Sequence, residues 1–368
     1  MPPVRSGSLE SLRERNRREL LDALARGGSA SRADLARLTG LSRSTVSTLV
    51  SDLQASGLVV EQEPGPRVAQ QGRPPTLLTL DRSAGLVLGV DFGHEQVHVA
   101  IADLARTILA ERVVALDVDT SAGRAIDVAE GAVHAGKILP GWVGVRPGDE
   151  LSARLGLRVH LDNDANLGAL AEVTLGAGIG ARDAVYLMVS GGIGAGPILG
   201  GEVYRGTGGT AGELGHVLVD ESGPICRCGN RGCLETLASG PAIVRLVSES
   251  RGEDLTTERL VELALAGDLG CRRALADAAR VLGRVVGNIC NLLNPEMVVV
   301  GGDLSAAGEL LLAPLREALG RAALPSITRD LEVVAGELGD RANVLGALAL
   351  AIAQSEQAVA ARIAAGVR

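Results

Sequence analysis

The 368-residue sequence contains no run of eighteen apolar residues, so it predicts no transmembrane helix. It also has no charged start followed by an apolar leader, and we expect a cytoplasmic protein with no membrane partner. A disulfide framework is disfavoured, because three of only five cysteines cluster beside a histidine, as metal ligands of a reducing compartment do. Aromatic residues are 1% of the chain and Lys137 is the single lysine, but neither deficit indicates a function.

Charge is unevenly distributed along the chain. The net charge is −8, yet the first 80 residues hold 11 arginines and 8 acidic residues, a local charge of +3. Prolines and glycines between Glu61 and Pro75 then interrupt any helical periodicity. The chain is also longer than one hydrophobic core usually serves. We therefore expect a basic module over residues 1–80 and a larger, acidic module over 81–368.

The basic module has the pattern of three helices followed by two strands. The first helix has an apolar stripe, Ser31 is positioned to cap the second, and Gly40 is suited to end it. Leu35 and Leu38 are expected to face inward from the second helix, and Ser42 to cap the third. A helix, a glycine turn and a second helix are typical of the helix-turn-helix arrangement.

The third helix is the predicted DNA-reading element. Its short polar side chains would let it approach base edges in the major groove, and its arginine can reach a guanine or a phosphate. Residues 58–60 and 76–78 predict two strands of a wing, and the arginine at the wing tip suits a narrow minor groove. The residues expected to contact DNA are Arg43, Ser44, Thr45, Ser47, Thr48 and Arg73.

An alternative for this module is a plain three-helix bundle, in which the serines and threonines only cap helices. The wing pattern and the local positive charge favour DNA binding. Because one winged helix-turn-helix rarely binds tightly by itself, a homodimer on a roughly two-fold symmetric operator is expected.

The larger module begins with three strands, and the first ends in an Asp-x-Gly turn. Two later strands, 185–189 and 297–300, each run into a turn with adjacent glycines. Such turns let backbone amides approach a phosphate, and the aspartate can hold Mg²⁺ through water. Three of them in this order predict the phosphate-binding fold shared by actin, hexokinase and sugar kinases. The turn residues are Asp91, Gly93, Gly191, Gly192, Gly194, Gly301 and Gly302.

Between these turns, residues 158–166 predict a strand that delivers polar side chains to a cleft. Asn163 can bind a sugar hydroxyl, and Asp164 is spaced to accept a proton from one. The alternative is that Asp162, Asn163 and Asp164 only cap the helix that follows, since Asp and Asn are preferred cap residues.

The segment from Glu213 to Glu235 predicts a metal site beside a polar ligand pocket. Three thiolates and one imidazole are the ligands of a structural zinc ion, and two carboxylates remain that zinc does not need. Rigidly held acceptors of this kind suit a hydroxyl-rich ligand. The alternatives are a structural zinc site without a ligand, or three ordinary core cysteines in a stretch too polar to bury them. The metal ligands are His216, Cys226, Cys228 and Cys233.

Together these motifs resemble the ROK family of bacterial sugar-responsive repressors, open reading frames and sugar kinases, over nearly the whole chain. The resemblance implies a winged helix-turn-helix followed by a two-lobed α/β core of the actin-like, ribonuclease H-like type, with lobes at 81–165 and 166–368 and zinc in the second. Asp164 matches the catalytic base of the kinases. The positions that match sugar contacts are Asn163, Asp164, Glu213, His216 and Glu235.

Departures from the family pattern favour a repressor over a kinase. Family kinases carry Asp-x-Gly-Gly-Thr at the first phosphate loop, whereas this chain has His94 and Glu95 after Gly93. A carboxylate placed against phosphate makes ATP and Mg²⁺ doubtful cofactors. The second loop has Ser190-Gly191-Gly192 where the kinases have a threonine between glycines. The alternative is a working ATP-dependent sugar kinase in which His94 and Glu95 swing into solvent.

A second departure is the helix expected over residues 122–135, which runs on without the strand and loop that family members place before residue 151. A crossover in a parallel sheet needs such a strand, and only the stretch Val143–Val145 is available to form it. Long apolar helices after the zinc segment are expected to carry dimer contacts. The prediction is a sugar-responsive transcriptional repressor that binds operator DNA, takes a sugar or sugar phosphate as ligand and forms a homodimer or tetramer.

Overall fold

The computed structural model describes residues 9–62, 76–118, 120 and 147–364. Its helices are α1 (Leu9–Gly27), α2 (Arg32–Thr39), α3 (Arg43–Ala55), α4 (Pro147–Leu155), α5 (Asp164–Leu175), α6 (Glu235–Ala238), α7 (Gly240–Arg251), α8 (Thr257–Leu265), α9 (Leu269–Leu293), α10 (Glu309–Ala322), α11 (Pro325–Thr328) and α12 (Ala342–Ala364). Its strands are β1 (Ala30–Ser31), β2 (Val59–Glu61), β3 (Leu77–Leu80), β4 (Leu86–Phe92), β5 (Gln96–Asp103), β6 (Ile108–Ala115), β7 (Ala184–Val189), β8 (Ile193–Leu199), β9 (Glu202–Val203), β10 (Met297–Gly301) and β11 (Glu332–Ala335).

The described residues form two compact units. The first holds those of Met1–Gly89, Ala100–Arg112 and Leu350–Arg368, and the second holds those of Val90–Val99 and Val113–Ala349. Among these residues, no helix combines the length and the apolar character that crossing a bilayer requires.

In the first unit, the three predicted helices are confirmed together with their caps. The Ser31 hydroxyl accepts a hydrogen bond from the Asp34 amide, and the Asp34 carboxylate accepts one from the Ser31 amide, so α2 begins with a capping box. Gly40 ends α2 at a φ of 70°, a left-handed conformation that glycine adopts without strain. Ser42 caps α3 by accepting a hydrogen bond from the Thr45 amide at 3.1 Å.

The two wing strands are confirmed as an antiparallel pair, β2 with β3, in which Val59 faces Leu80. A two-residue strand that the sequence pattern did not reveal, β1, pairs with the other edge of β3. The resulting order is β1-β3-β2, so the wing is joined to the start of α2 through backbone hydrogen bonds. The predicted wing tip with Arg73 lies outside the described residues.

The core of this module is made from the apolar faces of all three helices and the wing. Leu35 is 0% exposed, and the α3 residues Val46, Leu49, Val50 and Leu53 are buried as predicted. The inward orientation expected for Leu38 is wrong, because its side chain is 62% exposed. Leu38 lies in the last turn of the short α2, one residue before the helix ends, where none of the described elements covers it.

The turn between β5 and β6 belongs to the same unit as the winged module. Leu104 and Ala105 pack against the module's hydrophobic core. Arg106 forms an ion pair with Asp22 of α1 and has a φ of 66°, an uncommon conformation for a residue other than glycine. The strands that lead into and out of this turn, β5 and β6, form a three-stranded sheet with β4 in the order β4-β5-β6.

The second unit is organised around a mixed five-stranded sheet of order β11-β10-β7-β8-β9. Strand β10 runs parallel to β7 and β11, whereas β8 is antiparallel to β7. All six residues of β7 are buried, because helices cover both faces of the sheet. Alternate strand residues face α5 on one side and α7 to α10 on the other.

The strand expected over residues 158–166 is wrong. Residues 158–163 pair with no strand in the described part of the chain, and the polar segment 162–164 instead leads directly into α5. The stretch is polar and lies beside α4, a helix that the sequence pattern did not predict, so the backbone passes from helix to helix without joining the sheet. The helix expected over 122–135 and the substitute strand Val143–Val145 lie outside the described residues.

The contrast between Leu35 and Leu38 gives a direct test of the fold of the winged module. Leu35→Ala should lower the free energy of unfolding by about 2–5 kcal/mol, since it opens a cavity in a fully buried site. Leu38→Ala, in the same helix, should change it by no more than about 0.5 kcal/mol. Urea unfolding of the full chain measures both values. Equal losses would contradict the assignment of Leu38 to the surface.

Candidate functional site

His216, Cys226, Cys228 and Cys233 converge on one point of the second unit. Their candidate ligand atoms all lie within 4.8 Å of one another. The Sγ atoms of Cys228 and Cys233 are 3.7 Å apart, and His216 Nδ1 lies 3.6 Å from Cys226 Sγ. A disulfide needs about 2.05 Å between sulfurs, whereas thiolates about 2.3 Å from a tetrahedral ion lie about 3.8 Å apart. The cluster therefore has the geometry of a four-ligand metal site and not of a disulfide.

The loop that carries the cysteines is folded tightly by its own backbone. The Cys226 amide donates to Asn230 O at 2.7 Å, and the Gly229 amide donates back to Cys226 O at 3.0 Å. Gly232 has a φ of 62°, and a Cβ there would collide with the carbonyl of Asp220. Only glycine fits this position, so the chain can return Cys233 to the cluster.

His216 connects the metal cluster to the ligand pocket. Its Nδ1 faces Cys226, while its Nε2 lies 3.9 Å from a carboxylate oxygen of Glu213. Gly215, between them, packs so closely on β8 that a Cβ would collide with the carbonyl of Ile193. Nδ1 of the imidazole thus faces the cysteine cluster, and Nε2 lies beside the Glu213 carboxylate.

Asn163 and Asp164 stand at the N-terminus of α5. Asn163 Oδ1 accepts hydrogen bonds from the amides of Ala165 at 2.9 Å and Asn166 at 3.3 Å, so its oxygen caps the helix. The capping alternative is therefore correct for this atom, and the amide nitrogen is the part of Asn163 suited to a ligand. Asp164 is solvent-accessible although protein surrounds it closely, as expected at the floor of a cleft.

Asp162 is a support for this helix terminus and not a pocket residue. Its carboxylate accepts hydrogen bonds from Arg205 Nε at 2.7 Å, Asn166 Nδ2 at 2.8 Å and the Asn163 amide at 2.9 Å. The Asp162 side chain is only 6% exposed. Arg205 thus fixes the segment that positions Asn163 and Asp164, a role that its sequence position did not reveal.

Two acids lie close together in poorly solvated surroundings, the buried Asp91 and the solvent-accessible Asp164. Burial raises the pKa of Asp91 to about 7, and the charge of Asp164 adds to the increase, while a hydrogen bond with Asn343 opposes it. Burial also raises the pKa of Asp164, against the Ala165 amide hydrogen bond and the positive charges of His94 and Arg227. Because like charges in a poorly solvated site repel, the charge of Asp164 disfavours ionisation of Asp91.

His94 directly follows Gly93 of the first glycine turn, and its imidazole contacts Gly191 of the second. A Cβ added to Gly191 would lie 2.7 Å from His94 Cδ2, so the imidazole lies against the second turn. The backbone carbonyls of His94 and Glu95 accept hydrogen bonds from the amides of Val118 and Leu116. These bonds hold the His94 backbone in place, and its imidazole lies at the space where two phosphate loops would face one another.

Three of the predicted turn glycines, Gly194, Gly301 and Gly302, allow close packing. A Cβ at Gly301 would collide with the Tyr186 hydroxyl, and Gly302, at a φ of 82°, lies against the backbone of Val189. Gly194 is the second residue of β8, where a Cβ would lie 2.9 Å from Ala165 Cβ. Packing is therefore sufficient to explain these three glycines.

Glu235 is held by an arginine that the sequence analysis missed. Its carboxylate accepts hydrogen bonds from Arg227 Nε at 3.0 Å, Arg227 Nη2 at 3.3 Å and the Ile193 amide at 3.3 Å. A Cβ at Gly192 would lie 2.8 Å from Glu235 Oε2. Arg227 stands between two cysteines, and that position was the only available signal for its role.

In the first unit, α3 presents an exposed polar face. Arg43, Ser44, Ser47 and Thr48 are exposed, whereas Thr45 is half-buried and shares hydroxyl hydrogen bonds with Ser42. The hydroxyls of Thr48 and Ser51 donate to backbone carbonyls one turn earlier. The predicted reading face is therefore present for four of its five α3 residues.

The raised pKa of Asp91 predicts a pH-dependent stability. Above about pH 7 the folded protein holds an ionised, buried carboxylate, whereas below about pH 4 the group is protonated in both the folded and unfolded states. The contribution of Asp91 to the free energy of unfolding therefore falls as the pH rises from about 4 to about 7. Asp91→Asn should stabilise the chain at pH 8 by about 1 kcal/mol or more, and much less at pH 4.

Denaturant unfolding at both pH values measures this difference. Asp268→Ala is the control, and its effect on stability should have the opposite pH dependence. A hydrogen bond from the Cys271 amide and another from Arg251 lower the pKa of Asp268 to about 2. An Asp91→Asn effect that does not change with pH would contradict the assignment.

Comparisons with known proteins agree with this architecture. The ROK family model matches residues 125–354, and the MarR family model matches residues 15–67. The xylose repressor of Caldicellulosiruptor bescii is 30% identical over 94% of this chain and 97% of that protein. The glucokinase of Thermotoga maritima is 38% identical over 61% of this chain and 75% of that protein. A crystal structure of a ROK family transcriptional regulator, a homologue of the E. coli MLC protein, superposes with a TM-score of 0.75 over 96% of this chain and 99% of its own, at 24% identity.

A winged helix followed by a sugar-kinase-like α/β core defines the class of protein, a chain of two modules. The chain belongs to the ROK family, since the family model covers more than half of it and a 30% identical relative matches nearly all of it.

Proposed function

We propose that this protein is a sugar-responsive transcriptional repressor, in which a ligand bound by the second unit alters the affinity of the winged module for operator DNA. The full-length similarity to a protein named xylose repressor supports this function and makes a pentose the first ligand to try. The proposed sugar contacts are Asn163 through its amide nitrogen, Asp164, Glu213, His216 and Glu235. The proposed functional division remains residues 1–80 and 81–368.

The observation that carries the sensing role is the position of His94. Its imidazole lies against Gly191, between the two turns that would hold a phosphoryl donor. Two acids, the buried Asp91 and the solvent-accessible Asp164, lie nearby and would repel a polyphosphate in the absence of a metal ion. Carboxylates and an imidazole remain suited to sugar hydroxyls, so the proposed pocket binds a sugar without phosphorylating it.

We assign zinc to the cluster of His216 with Cys226, Cys228 and Cys233. One nitrogen and three sulfurs fill a closed tetrahedral site and leave no position for a reacting water. Zinc would supply only structural restraint, joining the turn that carries His216 to the loop that precedes Glu235. In this proposal the sugar is contacted by the five pocket side chains and not by the zinc ion.

The proposed DNA contacts are Arg43, Ser44, Ser47 and Thr48 on α3, with Arg73 at the wing tip and Thr45 in a supporting position. The proposed assembly is a homodimer or tetramer. Two exposed leucines at the ends of α9, Leu269 at 81% and Leu292 at 79%, support a subunit contact along this helix, which would cover them from water.

The proposed response is a shift between two conformations with different operator affinities. Strand β5 begins two residues after His94 and ends at Asp103, next to Leu104, which packs against the winged core. A ligand that moves the segment around His94 therefore acts on a strand continuous with that contact. Whether the sugar releases or recruits the operator is set by which conformation it binds better.

The second candidate function is an ATP-dependent sugar kinase, favoured by the 38% identity to a glucokinase over the core. In that case Asp164 would be the catalytic base, and His94 would have to leave Gly191 for ATP and Mg²⁺ to bind. The two candidate functions can be distinguished by one product, because only the kinase would form a sugar phosphate.

The test is a calorimetric titration with xylose, other pentoses, hexoses and their phosphates, with and without ATP and Mg²⁺, alongside an assay for sugar phosphate. Operator binding is followed by fluorescence anisotropy. We expect one sugar to bind without turnover and to change the operator affinity at least about fivefold, a usual scale of allosteric coupling. Arg43→Ala should weaken operator binding and leave sugar binding unchanged.

Phosphorylation that Asp164→Asn abolishes would establish the kinase in place of the sensor. Absence of binding by every sugar would refute the proposed ligand class. Loss of both operator binding and sugar binding in Arg43→Ala would show that the variant misfolds. Ser47→Ala then provides a second substitution on the same face of α3.

Zinc removal should separate the sensing function from the fold. Cys226→Ser with Cys228→Ser should abolish metal binding and ligand-dependent operator release, while operator binding without ligand persists because the winged module has its own core. Cys290→Ser is the matched control, since that cysteine is buried in α9 and far in sequence from the cluster. Metal content and operator anisotropy are measured together, and unchanged release by the double variant would contradict the role of zinc.

A further inference from the structure

Arg227 joins the metal-cluster loop to the ligand pocket. It stands between Cys226 and Cys228, yet its guanidinium hydrogen-bonds the carboxylate of Glu235 with two nitrogens, at 3.0 Å and 3.3 Å. Two parallel hydrogen bonds of this kind fix the plane of a carboxylate as well as its position. The Glu235 side chain is 12% exposed, so its orientation is set by the protein more than by solvent.

The paired side chains lie against the second glycine turn. The Ile193 amide donates a third hydrogen bond to Glu235 Oε2 at 3.3 Å. A Cβ on Gly192 would lie 2.8 Å from that same oxygen and 3.4 Å from Arg227 Nη2. Because each carboxylate oxygen has two acceptor positions, Glu235 can still accept a hydrogen bond from a ligand hydroxyl.

The guanidinium also offsets the negative charge of the pocket. Arg227 attracts Asp164 as well as Glu235, and Asp91 is close enough to Asp164 to feel its charge. An arginine stays charged at any physiological pH, so it places a permanent positive charge beside these acids. A lysine would keep the charge but could not reproduce the two-nitrogen contact.

We propose that Arg227 is a positioning residue for sugar binding, which acts by holding the Glu235 carboxylate in one orientation toward the ligand. This inference rests on the proposed function. It assigns to the residue between the two cysteines a role distinct from metal binding, so the metal-cluster loop shapes the pocket through a side chain as well as through its backbone.

The test compares Arg227→Ala, Arg227→Lys, Glu235→Gln and the Arg227→Ala/Glu235→Gln double variant in the full chain. Arg231→Ala is the matched control, because Arg231 lies in the same loop and donates to the carbonyl of Gly223 instead of Glu235. The sugar that the wild type binds most tightly, with xylose tried first, is titrated by calorimetry. Metal content is measured on every variant.

Arg227→Ala should weaken sugar binding by about ten- to a hundredfold, the range that follows from losing a charged hydrogen bond. Arg227→Lys should retain part of the affinity, and Arg231→Ala nearly all of it. The double variant should bind no more weakly than Glu235→Gln alone, since the two residues act through one carboxylate. All variants should keep the metal content of the wild type.

Several results would overturn the proposal. Unchanged or tighter binding by Arg227→Ala would show that the arginine does not assist Glu235. Multiplicative losses in the double variant would make it an independent contact, and loss of metal in Arg227→Ala but not in Arg231→Ala would make its role structural. Absence of sugar binding by the wild type would remove the proposed function together with this inference, whereas wild-type binding with an unaffected Arg227→Ala removes the inference alone.

Discussion

The proposed pocket depends on the convergence of His216 with three cysteines, because among the described residues only a short antiparallel pairing of Leu218 with Cys233 otherwise joins the two stretches of chain that carry its carboxylates. One stretch brings Glu213 beside the imidazole, and the other leads from Cys233 directly to Glu235. Both stretches contain glycines that no larger residue could replace without a collision with neighbouring carbonyls. A four-ligand ion would therefore fix the separation of two pocket carboxylates, which a glycine-rich polar loop could not maintain by hydrophobic packing.

Electrostatics give the pocket its second constraint. Acidic side chains come from three separate elements, the end of β4, the start of α5 and the start of α6, and only a few positive groups face them. A site with this excess of negative charge favours neutral, hydroxyl-bearing ligands over polyphosphates unless a metal ion is also bound. The position of His94 against Gly191 acts in the same direction, because it places an imidazole where the kinases of the family have a glycine.

A ligand in the second unit can change operator affinity only if the two units respond to each other. Strand β5 runs from the second unit into the first and is a continuous element between them. The turn between β5 and β6 packs on the winged core through Leu104, and Arg106 pairs with Asp22 of α1. The uncommon backbone conformation of Arg106 shows that this turn is held by its surroundings. A repressor of this design needs no large rearrangement of the winged module itself, since its three helices share one complete core.

Local signals in the sequence were sufficient wherever structure depends on neighbours in the chain. Ser31, Gly40 and Ser42 set helix ends through hydrogen bonds within three residues, and the apolar stripe of α3 is buried as its spacing predicts. The metal ligands were also evident from spacing, because a tight loop brings nearby cysteines together whatever the rest of the fold does.

Tertiary structure decided the features that depend on contacts between distant segments. Leu38 shares the spacing of a core residue but has no element above it, and residues 158–161 carry alternating apolar residues but find no strand to pair with. The contact of His94 with Gly191 and the raised pKa of Asp91 arise only when separate strands and helices meet. The sequence by itself thus determined the two modules, the helix caps of the first and the identity of the candidate metal ligands, since these follow from local geometry. Only the folded chain decided which acids share one pocket and that Arg227 orients Glu235, because charge and hydrogen bonding act through space and not along the sequence.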